Sequence, residues 1–445
     1  MNGMRTESLC PVCLDRIPAI RAIDGEEVFL EKTCPRHGRF RTLIWKGPPL
    51  FETWRRPKIP VYPSLPFRTK EKGCPFDCGL CPDHRQRSCT VILEVTRRCD
   101  LGCPVCYADA KTSGDDPSLA TIAGWYRSVR MGSGNGNIQI SGGEPTLRDD
   151  LAEILALGRE HGFSFLQINT NGIRIARDRA YLSALKQAGL SSVFLQFDGT
   201  EDAIYRRMRG RNLLDDKLSA VEACGDLGIG VVLVPTLVPG WNTENVGRIL
   251  ELALTLLPVV RAVHFQPVSR FGRFPRNLTG RLTLPELMRS IEIQTEGLFR
   301  AGHFRPPGCE NALCSFHAQY LVTVEGNPVP LHPEAPLKEA PDPIPAEVGA
   351  ERAIQFVARE WAGRKPEKSP SPSCCGDRAL KLDDFLVSAR TRVFSVSAMA
   401  FQDAWSLDID RVRDCCIHVV SGKGDLVPFC LHNLTSASGR LLYPR

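Results

Sequence analysis

The stretch Glu94–Ala110, EVTRRCDLGCPVCYADA, decides the fold. Three cysteines, Cys99, Cys103 and Cys106, follow directly on the apolar run TVILEVT. A structural zinc site closes with four ligands. Three thiols with no fourth at a matching distance suit a [4Fe–4S] cluster that keeps one iron open for a substrate or cofactor. On spacing alone the alternative is a zinc knuckle completed by a remote ligand.

Around this stretch the chain alternates. TVILEVT, NIQIS, FLQINT, SVFLQF, GVVLVPT and AVHFQPV are short and rich in Val, Ile, Leu and Phe. Between them lie stretches of helical period such as RDDLAEILALGREHG and AYLSALKQAGL, where Leu182, Leu185 and Leu190 share one face. Six strands alternating with helices predict parallel βαβ units with right-handed crossovers, as an open sheet or a partial barrel. Functional residues then belong at the C-terminal ends of the strands. The cysteine triplet stands at the end of the first strand.

The second strand ends in ISGGEPT. Gly142 and Gly143 remove side chains where a ligand would approach the backbone, and Glu144 adds a carboxylate able to accept from an ammonium group. The plain alternative is a strand-to-helix turn whose glycines serve geometry only. Other strand ends carry Asn169, Asn171, Gln196 and Asp198, with Thr236, His264 and Gln266 further on. Such residues contact a ligand or shape turns. The run GSGNGN, 132–137, precedes its strand and reads as a connection, not a dinucleotide loop.

The C-x3-C-x2-C triplet and the Gly-Gly-Glu turn together resemble the radical S-adenosylmethionine (SAM) superfamily. The resemblance implies an α/β fold, a partial (β/α)6 barrel. It also implies a [4Fe–4S] cluster on Cys99, Cys103 and Cys106 whose open iron chelates SAM, and reductive cleavage to a 5′-deoxyadenosyl radical. Gly142, Gly143 and Glu144 would then bind the methionine amino group, and Asn169, Asn171, Gln196 and Asp198 the ribose, carboxylate or substrate. Members often carry an aromatic residue just before the third cysteine; here that position is Val105, and the aromatic is Tyr107.

Eighteen cysteines in 445 residues exceed the needs of one cluster. The N-terminus shows no secretory signal and no apolar run reaches a membrane span, so reduced, metal-bound thiols in a cytoplasmic protein are expected. A net charge of +6 with 24% charged residues gives no pointer to nucleic acid. The proline-rich runs 55–67 and 332–350 suggest four regions. Residues 1–73 hold a zinc-ribbon or rubredoxin-like knuckle of Cys10, Cys13, Cys34 and His37, binding zinc or a single iron. Residues 74–90 hold Cys74, Cys78 and Cys81, ligands of an auxiliary [4Fe–4S] cluster whose fourth ligand is His84, Cys89 or a later cysteine. Residues 91–305 form the core barrel. Residues 306–445 form a Cys-rich extension, where Cys309, Cys314, Cys415 and Cys430 are expected to bind a second auxiliary cluster. Adjacent cysteines rarely share one iron, which leaves Cys374, Cys375 and Cys416 without an assigned role. Cys224, on a helix, reads as an apolar core residue.

CPVC…CPRHG, KGCPFDCGLCPDH, SGGEPTLRDDL and FQDAWSLDIDRVRDC also resemble the subgroup that contains tetraether lipid synthase and the class D methylases, and the radical SAM (seleno)proteins termed TrsS. That resemblance implies methylation or C–C bond formation at an unactivated C–H bond of a small-molecule or lipid-like substrate, with ferredoxin or flavodoxin as reductant. The alternatives are a maturase that oxidises its substrate through auxiliary clusters, and a non-catalytic iron–sulfur or zinc protein. Three [4Fe–4S] clusters and one single-metal site are expected in all.

Overall fold

The computed structural model describes residues 3–64, 66–275, 277–332, 334, 342–363 and 391–444. Strands β1 (Gly3–Leu9), β2 (Arg16–Asp24), β3 (Glu27–Cys34) and β4 (Gly38–Lys46) form an antiparallel sheet in chain order. A short strand, β5 (Lys58–Ile59), pairs far along the chain with β15 (Ile344–Pro345).

The centre is a run of six parallel strands in chain order: β6 (Thr90–Thr96), β7 (Asn137–Gly142), β8 (Leu166–Thr170), β9 (Ser192–Gln196), β10 (Gly230–Val234) and β12 (Val260–Pro267). The two-residue β11 (Thr236–Leu237) adds to β12. Helices Leu119–Ser133, Leu151–Glu160, Arg179–Gln187, Leu214–Asp226 and Val246–Thr255 connect successive strands. This is the partial (β/α)6 barrel. Alternation divides the work of each strand. Val91, Leu93, Ile138, Ile140, Leu166, Ile168, Val193, Leu195, Val231 and Leu233 face the helices in one large apolar core. The other parity faces inward and is mixed: Gln139, Asn169, Phe194, Gln196, Val234, His264 and Gln266 line a cavity.

The C-terminal third does not stand apart from this barrel. Strand β16 (Val393–Met399) extends it in parallel beyond β12, and β13 (Ser315–Val322) and β14 (Pro328–Pro330) add antiparallel strands outside β16. At the other edge β17 (Ile417–Val420) pairs in parallel with β6, and β18 (Leu426–Pro428) pairs with β17. The helix Ala346–Glu360 lies across the starts of the strands. Asn137 Nδ2 donates to Ile354 O at 3.3 Å, Gly363 N to Ser191 O at 3.3 Å, and Arg261 Nε to Glu360 O at 3.0 Å. Its end requires glycine opposite: a Cβ on Gly230 would lie 2.3 Å from Trp361 O. Strands from both sides of the 305/306 boundary thus share one sheet. Cys374 and Cys375 lie outside the described residues.

The N-terminal sheet docks on the segment 403–410. Arg21 forks onto Asp408, Nε to Oδ2 at 2.6 Å and Nη2 to Oδ1 at 3.0 Å, and also reaches Asp410. Lys32 Nζ, buried, donates to Ser8 Oγ at 2.9 Å and Ala404 O at 2.8 Å. Burial lowers this ammonium to about 7, against the pull of Asp403. Because Asp408 is itself buried, Asp408→Ala should cost about 3–5 kcal/mol and should expose the first 46 residues to limited proteolysis. Denaturant unfolding and a timed digest check both.

Candidate active site and metal centres

The loop after β6 is pinned on three sides. Cys99 N donates to Lys111 O at 2.7 Å and Lys111 N to Arg97 O at 3.0 Å, closing the loop at its base. Asp116 accepts from Thr96 Oγ1 and Arg98 Nη2, each at 2.5 Å. From the segment after the barrel's last strand, Arg273 exchanges both backbone bonds with Cys106 (2.9 and 3.0 Å), and its Nε donates to Cys103 O at 2.8 Å. Gly272, at φ +50°, permits this approach, since a Cβ there would sit 2.5 Å from Tyr107 O. Cys99, Cys103 and Cys106 line the cavity together. Burial pushes the Cys99 thiol up to about 12, with Glu144 and Asp100 adding to it. A metal held at that position would supply the thiolate, since a coordinating thiol is deprotonated outright. The donor set fits an iron–sulfur cluster.

The Gly-Gly-Glu turn sits against this loop by backbone contact. Gly143 N donates to Thr96 O and Glu144 N to Arg98 O, both at 2.8 Å. A Cβ on Gly142 would lie 2.1 Å from Thr96 O, and one on Gly143 2.1 Å from Arg98 O. Close packing of two strand ends therefore already requires both glycines. Glu144 is buried and heavily engaged. Its Oε1 accepts from Thr146 N (3.1 Å), Thr146 Oγ1 (2.6 Å) and Thr170 Oγ1 (2.6 Å), and its Oε2 from Asn171 N (2.7 Å). A carboxylate offers about four acceptor sites shared by two oxygens, so Oε2 retains capacity for one more donor.

The remaining strand-end residues divide. Asn171 Nδ2 holds Asp100 of the cysteine loop at 2.7 Å. Asp198, with no exposed surface, is consumed by Arg209 (2.7 and 2.9 Å) and Thr236 N (3.2 Å). Gln196 is held between Asp198 and Lys217. Asn169 donates to Gln139 Oε1 at 3.2 Å, while its own buried Oδ1 has no hydrogen-bond partner among the described residues. Sequence reasoning missed Arg209 and Lys217, two cations behind the cysteine loop. Asp198 and Cys103 hold Arg209 firmly charged against its burial, and burial lowers the enclosed Lys217 to about 8 despite Asp198. Nothing in RRMRGRN or LLDDKLSA marks them. They become legible only through the carboxylate they share.

Glu144, Asn169, Asn171, Gln196 and Arg209 border one cavity of about 680 Å³ that runs from the cysteine loop into the barrel. Its inner wall is aromatic. Phe194 lies 5.5 Å from His264 and 5.8 Å from Trp361, ring centre to ring centre. His264 Nδ1 pairs with Ser397 Oγ at 2.9 Å, and burial lowers the imidazole to about 4, so it stands neutral.

Two groups of described residues bring three or more ligand atoms within 4.8 Å of one another. One is Cys10, Cys13, Cys34 and His37, from the β1–β2 and β3–β4 turns. Its Cys13–Cys34 sulfur separation is 3.9 Å, and His37 Nδ1 lies 3.5 and 3.4 Å from Cys10 and Cys34 Sγ. A tetrahedral ion with bonds of ~2.3 Å spaces its thiolates by about 3.8 Å. The other group is Cys89, Cys309 and Cys416.

That second group departs from the expected set of Cys309, Cys314, Cys415 and Cys430. Cys309 packs with Cys89 and Cys416, because β6 and β17 start side by side and each is preceded by a cysteine. Cys430 shares an apolar cluster with Cys74 and Cys78 and also lies within electrostatic reach of Cys314 and Cys415. Cys314 Sγ accepts from Arg411 Nη2 at 3.2 Å, and Cys415 Sγ faces Ile417 O at 3.2 Å. Cys416, set aside because it adjoins Cys415, is thus brought to other thiols. Cys74, Cys78 and Cys81 are all buried, and Cys78 N is held by Tyr443 Oη at 2.9 Å.

A family profile described as the radical SAM superfamily matches residues 93–253, and one described as the HMPTM N-terminal zinc ribbon domain matches residues 4–46. The 7,8-dihydro-6-hydroxymethylpterin dimethyltransferase of Methanocaldococcus jannaschii is 33% identical over 476 aligned residues, covering 96% of this chain and 93% of that protein. The Fe-coproporphyrin III synthase of Methanosarcina barkeri is 33% identical over 241 residues, covering 53% of this chain and 58% of that protein. Among solved structures, Streptococcus suis SuiB bound to precursor peptide SuiA aligns at 15% identity with a TM-score of 0.41, covering 48% of this chain and 47% of that one. A thiol triplet at the end of the first strand of an open parallel barrel, beside a Gly-Gly-Glu turn, marks an iron–sulfur enzyme that uses SAM. The chain belongs to the radical SAM superfamily.

Replacing Cys99, Cys103 and Cys106 together with Ala should remove about four irons and four sulfides and leave the other metals in place, as read by iron, sulfide and zinc analysis. Glu144→Ala should strip the acceptor from two buried hydroxyls and two amides. It should destabilise the protein by about 1–3 kcal/mol for each buried donor left unpaired, with Glu144→Gln intermediate, as read by denaturant unfolding.

Proposed function

We propose that the chain is a carbon-alkylating radical SAM enzyme acting on a flat nitrogen heterocycle of the pterin class. The observation that carries the reading is the single cavity: the cysteine loop forms one wall, and Phe194, His264 and Trp361 with the amides of Gln139 and Gln266 form another. Aromatic walls seat a planar ring, and side-chain amides match its ring nitrogens and carbonyl. The relative from M. jannaschii, similar over nearly both full lengths, is by name a pterin dimethyltransferase.

When bound, a reduced [4Fe–4S] cluster with SAM supplies a 5′-deoxyadenosyl radical able to take hydrogen from an unactivated C–H bond. In this reading Cys99, Cys103 and Cys106 hold the cluster. Glu144 and Asn171 fix the turn and the loop against each other, and Oε2 of Glu144 receives the methionine ammonium. Arg209 and Lys217 offset the negative charge of the thiolates. Gly142 and Gly143 keep the turn close, and Asn169 offers Oδ1 to the ligand. Single electrons come from a ferredoxin or flavodoxin, and Cys74, Cys78 and Cys81 hold an auxiliary cluster. Among the described residues no helix is long and apolar enough to cross a membrane.

A second reading, oxidation of the substrate radical through auxiliary clusters, is favoured by the thiols of Cys89 and Cys309 on the same cavity. One assay separates the two. Anaerobically reconstituted protein is given a low-potential reductant, 7,8-dihydro-6-hydroxymethylpterin, SAM in excess as radical source and methyl donor, and a reduced one-carbon carrier as the alternative methyl donor, and the pterin is analysed by mass spectrometry. A pterin heavier by one or two methyl groups supports alkylation. A pterin lighter by two hydrogens supports the oxidase reading, and an unchanged pterin rejects this substrate class.

A further inference from the structure

The thiols of Cys89, Cys309 and Cys416 have no part in the alkylation proposed above. They meet at the opposite end of β6 from the SAM-binding loop. Cys89 immediately precedes the strand and Cys99 follows it, so a seven-residue strand separates the two groups by roughly 20 Å at ~3.3 Å per residue. Three distant segments are held together there. Cys89 N donates to Cys416 O at 2.8 Å, and Gln86 Nε2 to Cys309 O at 2.5 Å. Lys58 Nζ donates to the carbonyls of Cys309 and Glu310. The helix Ala346–Glu360 presses on the same point: a Cβ on Gly349 would lie 2.1 Å from Gly308 O, and Ala350 packs on the thiols.

All three sulfurs are buried, and all lie within 4.8 Å of one another. That spacing is shared with the four-ligand knuckle, which matches a zinc ribbon profile. The cysteines of the SAM-binding loop, which serve a four-iron cube, do not form such a group. One ion at ~2.3 Å from each sulfur draws thiolates to about 3.8 Å, and a cube of iron and sulfide holds them further apart. Cys416 has no exposed surface and backs the site, whereas Cys89, Cys309 and Glu310 line the cavity. Glu310 turns Oε2 to within 3.8 Å of Cys416 Sγ, while Oε1 is engaged by Ser315.

We propose that Cys89, Cys309 and Cys416 bind a single thiophilic divalent ion, zinc or ferrous iron, at the floor of the barrel, with its fourth position toward the substrate cavity and Glu310 at its rim. The set of three protein ligands with one position left to water or substrate is that of an open zinc site. The ion cross-links residues 86–89, 308–310 and 414–416, which also meet through Cys89 N to Cys416 O and Gln86 Nε2 to Cys309 O. The inference does not depend on which substrate the enzyme takes.

Native mass spectrometry of the anaerobically reconstituted full chain tests it without any variant: two single ions should remain beyond the iron–sulfur mass, one for the knuckle and one for the floor. A single extra ion would overturn the proposal. In metal and sulfide analysis Cys416→Ser and Cys309→Ser should each lose one ion and no acid-labile sulfide. Cys34→Ser should lose one ion, and Cys34→Ser with Cys416→Ser should lose two. Cys309→His, which keeps on the same turn a nitrogen donor suited to zinc or iron, should retain the floor ion. Unchanged metal content in Cys416→Ser, or loss of about four irons with four sulfides, would contradict a single-ion site.

Discussion

Two backbone hydrogen bonds, Gly143 N to Thr96 O and Glu144 N to Arg98 O, join the ends of the first two barrel strands. They are possible only because neither Gly142 nor Gly143 carries a Cβ, which would meet a carbonyl oxygen at 2.1 Å in each case. From this contact the site follows. The carboxylate of Glu144 reaches Thr170 and Asn171 on the third strand, and Asn171 reaches Asp100 in the cysteine loop. Three strand ends and the thiol loop therefore form one hydrogen-bonded body, which a cluster ligand set needs if its geometry is to survive substrate binding.

The barrel interior is set by the same economy. Its outward parity is uniformly apolar and packs on helices, so the inward parity is free to carry amides, a neutral histidine and Phe194, with Trp361 from the C-terminal third packed beside it. Chain from the C-terminal third closes the barrel at the far end and supplies extra strands on both edges. The cations Arg209 and Lys217 sit behind the cysteine loop beside the buried carboxylate of Asp198. Buried negative charge is tolerated only with such partners.

Much of this was legible in the residues. The six strands were visible because strands buried on both faces read as short apolar runs, and the thiol triplet announced the loop at the end of the first. The knuckle was visible because its ligands come in pairs on two tight turns. The amide, histidine and aromatic side chains of the inward parity were readable as residues but not as a cavity. The partnership of Cys89, Cys309 and Cys416 was hidden for a physical reason: it depends on β17 pairing beside β6, a contact between positions more than three hundred residues apart. Glu144 was read as facing a ligand, and its four protein donors come from turns whose approach no local pattern records. Arg209 and Lys217 lie on helices where charged residues are ordinarily solvated, and only the fold turns them inward.

The account turns on whether the loop Cys99–Cys106, held as described, presents SAM to a reducible cluster. The most direct measurement is the yield of 5′-deoxyadenosine and methionine when the anaerobically reconstituted protein is reduced in the presence of SAM. The account predicts both products in equal amounts and dependent on reductant. Intact SAM after full reduction of the iron–sulfur absorption would contradict it.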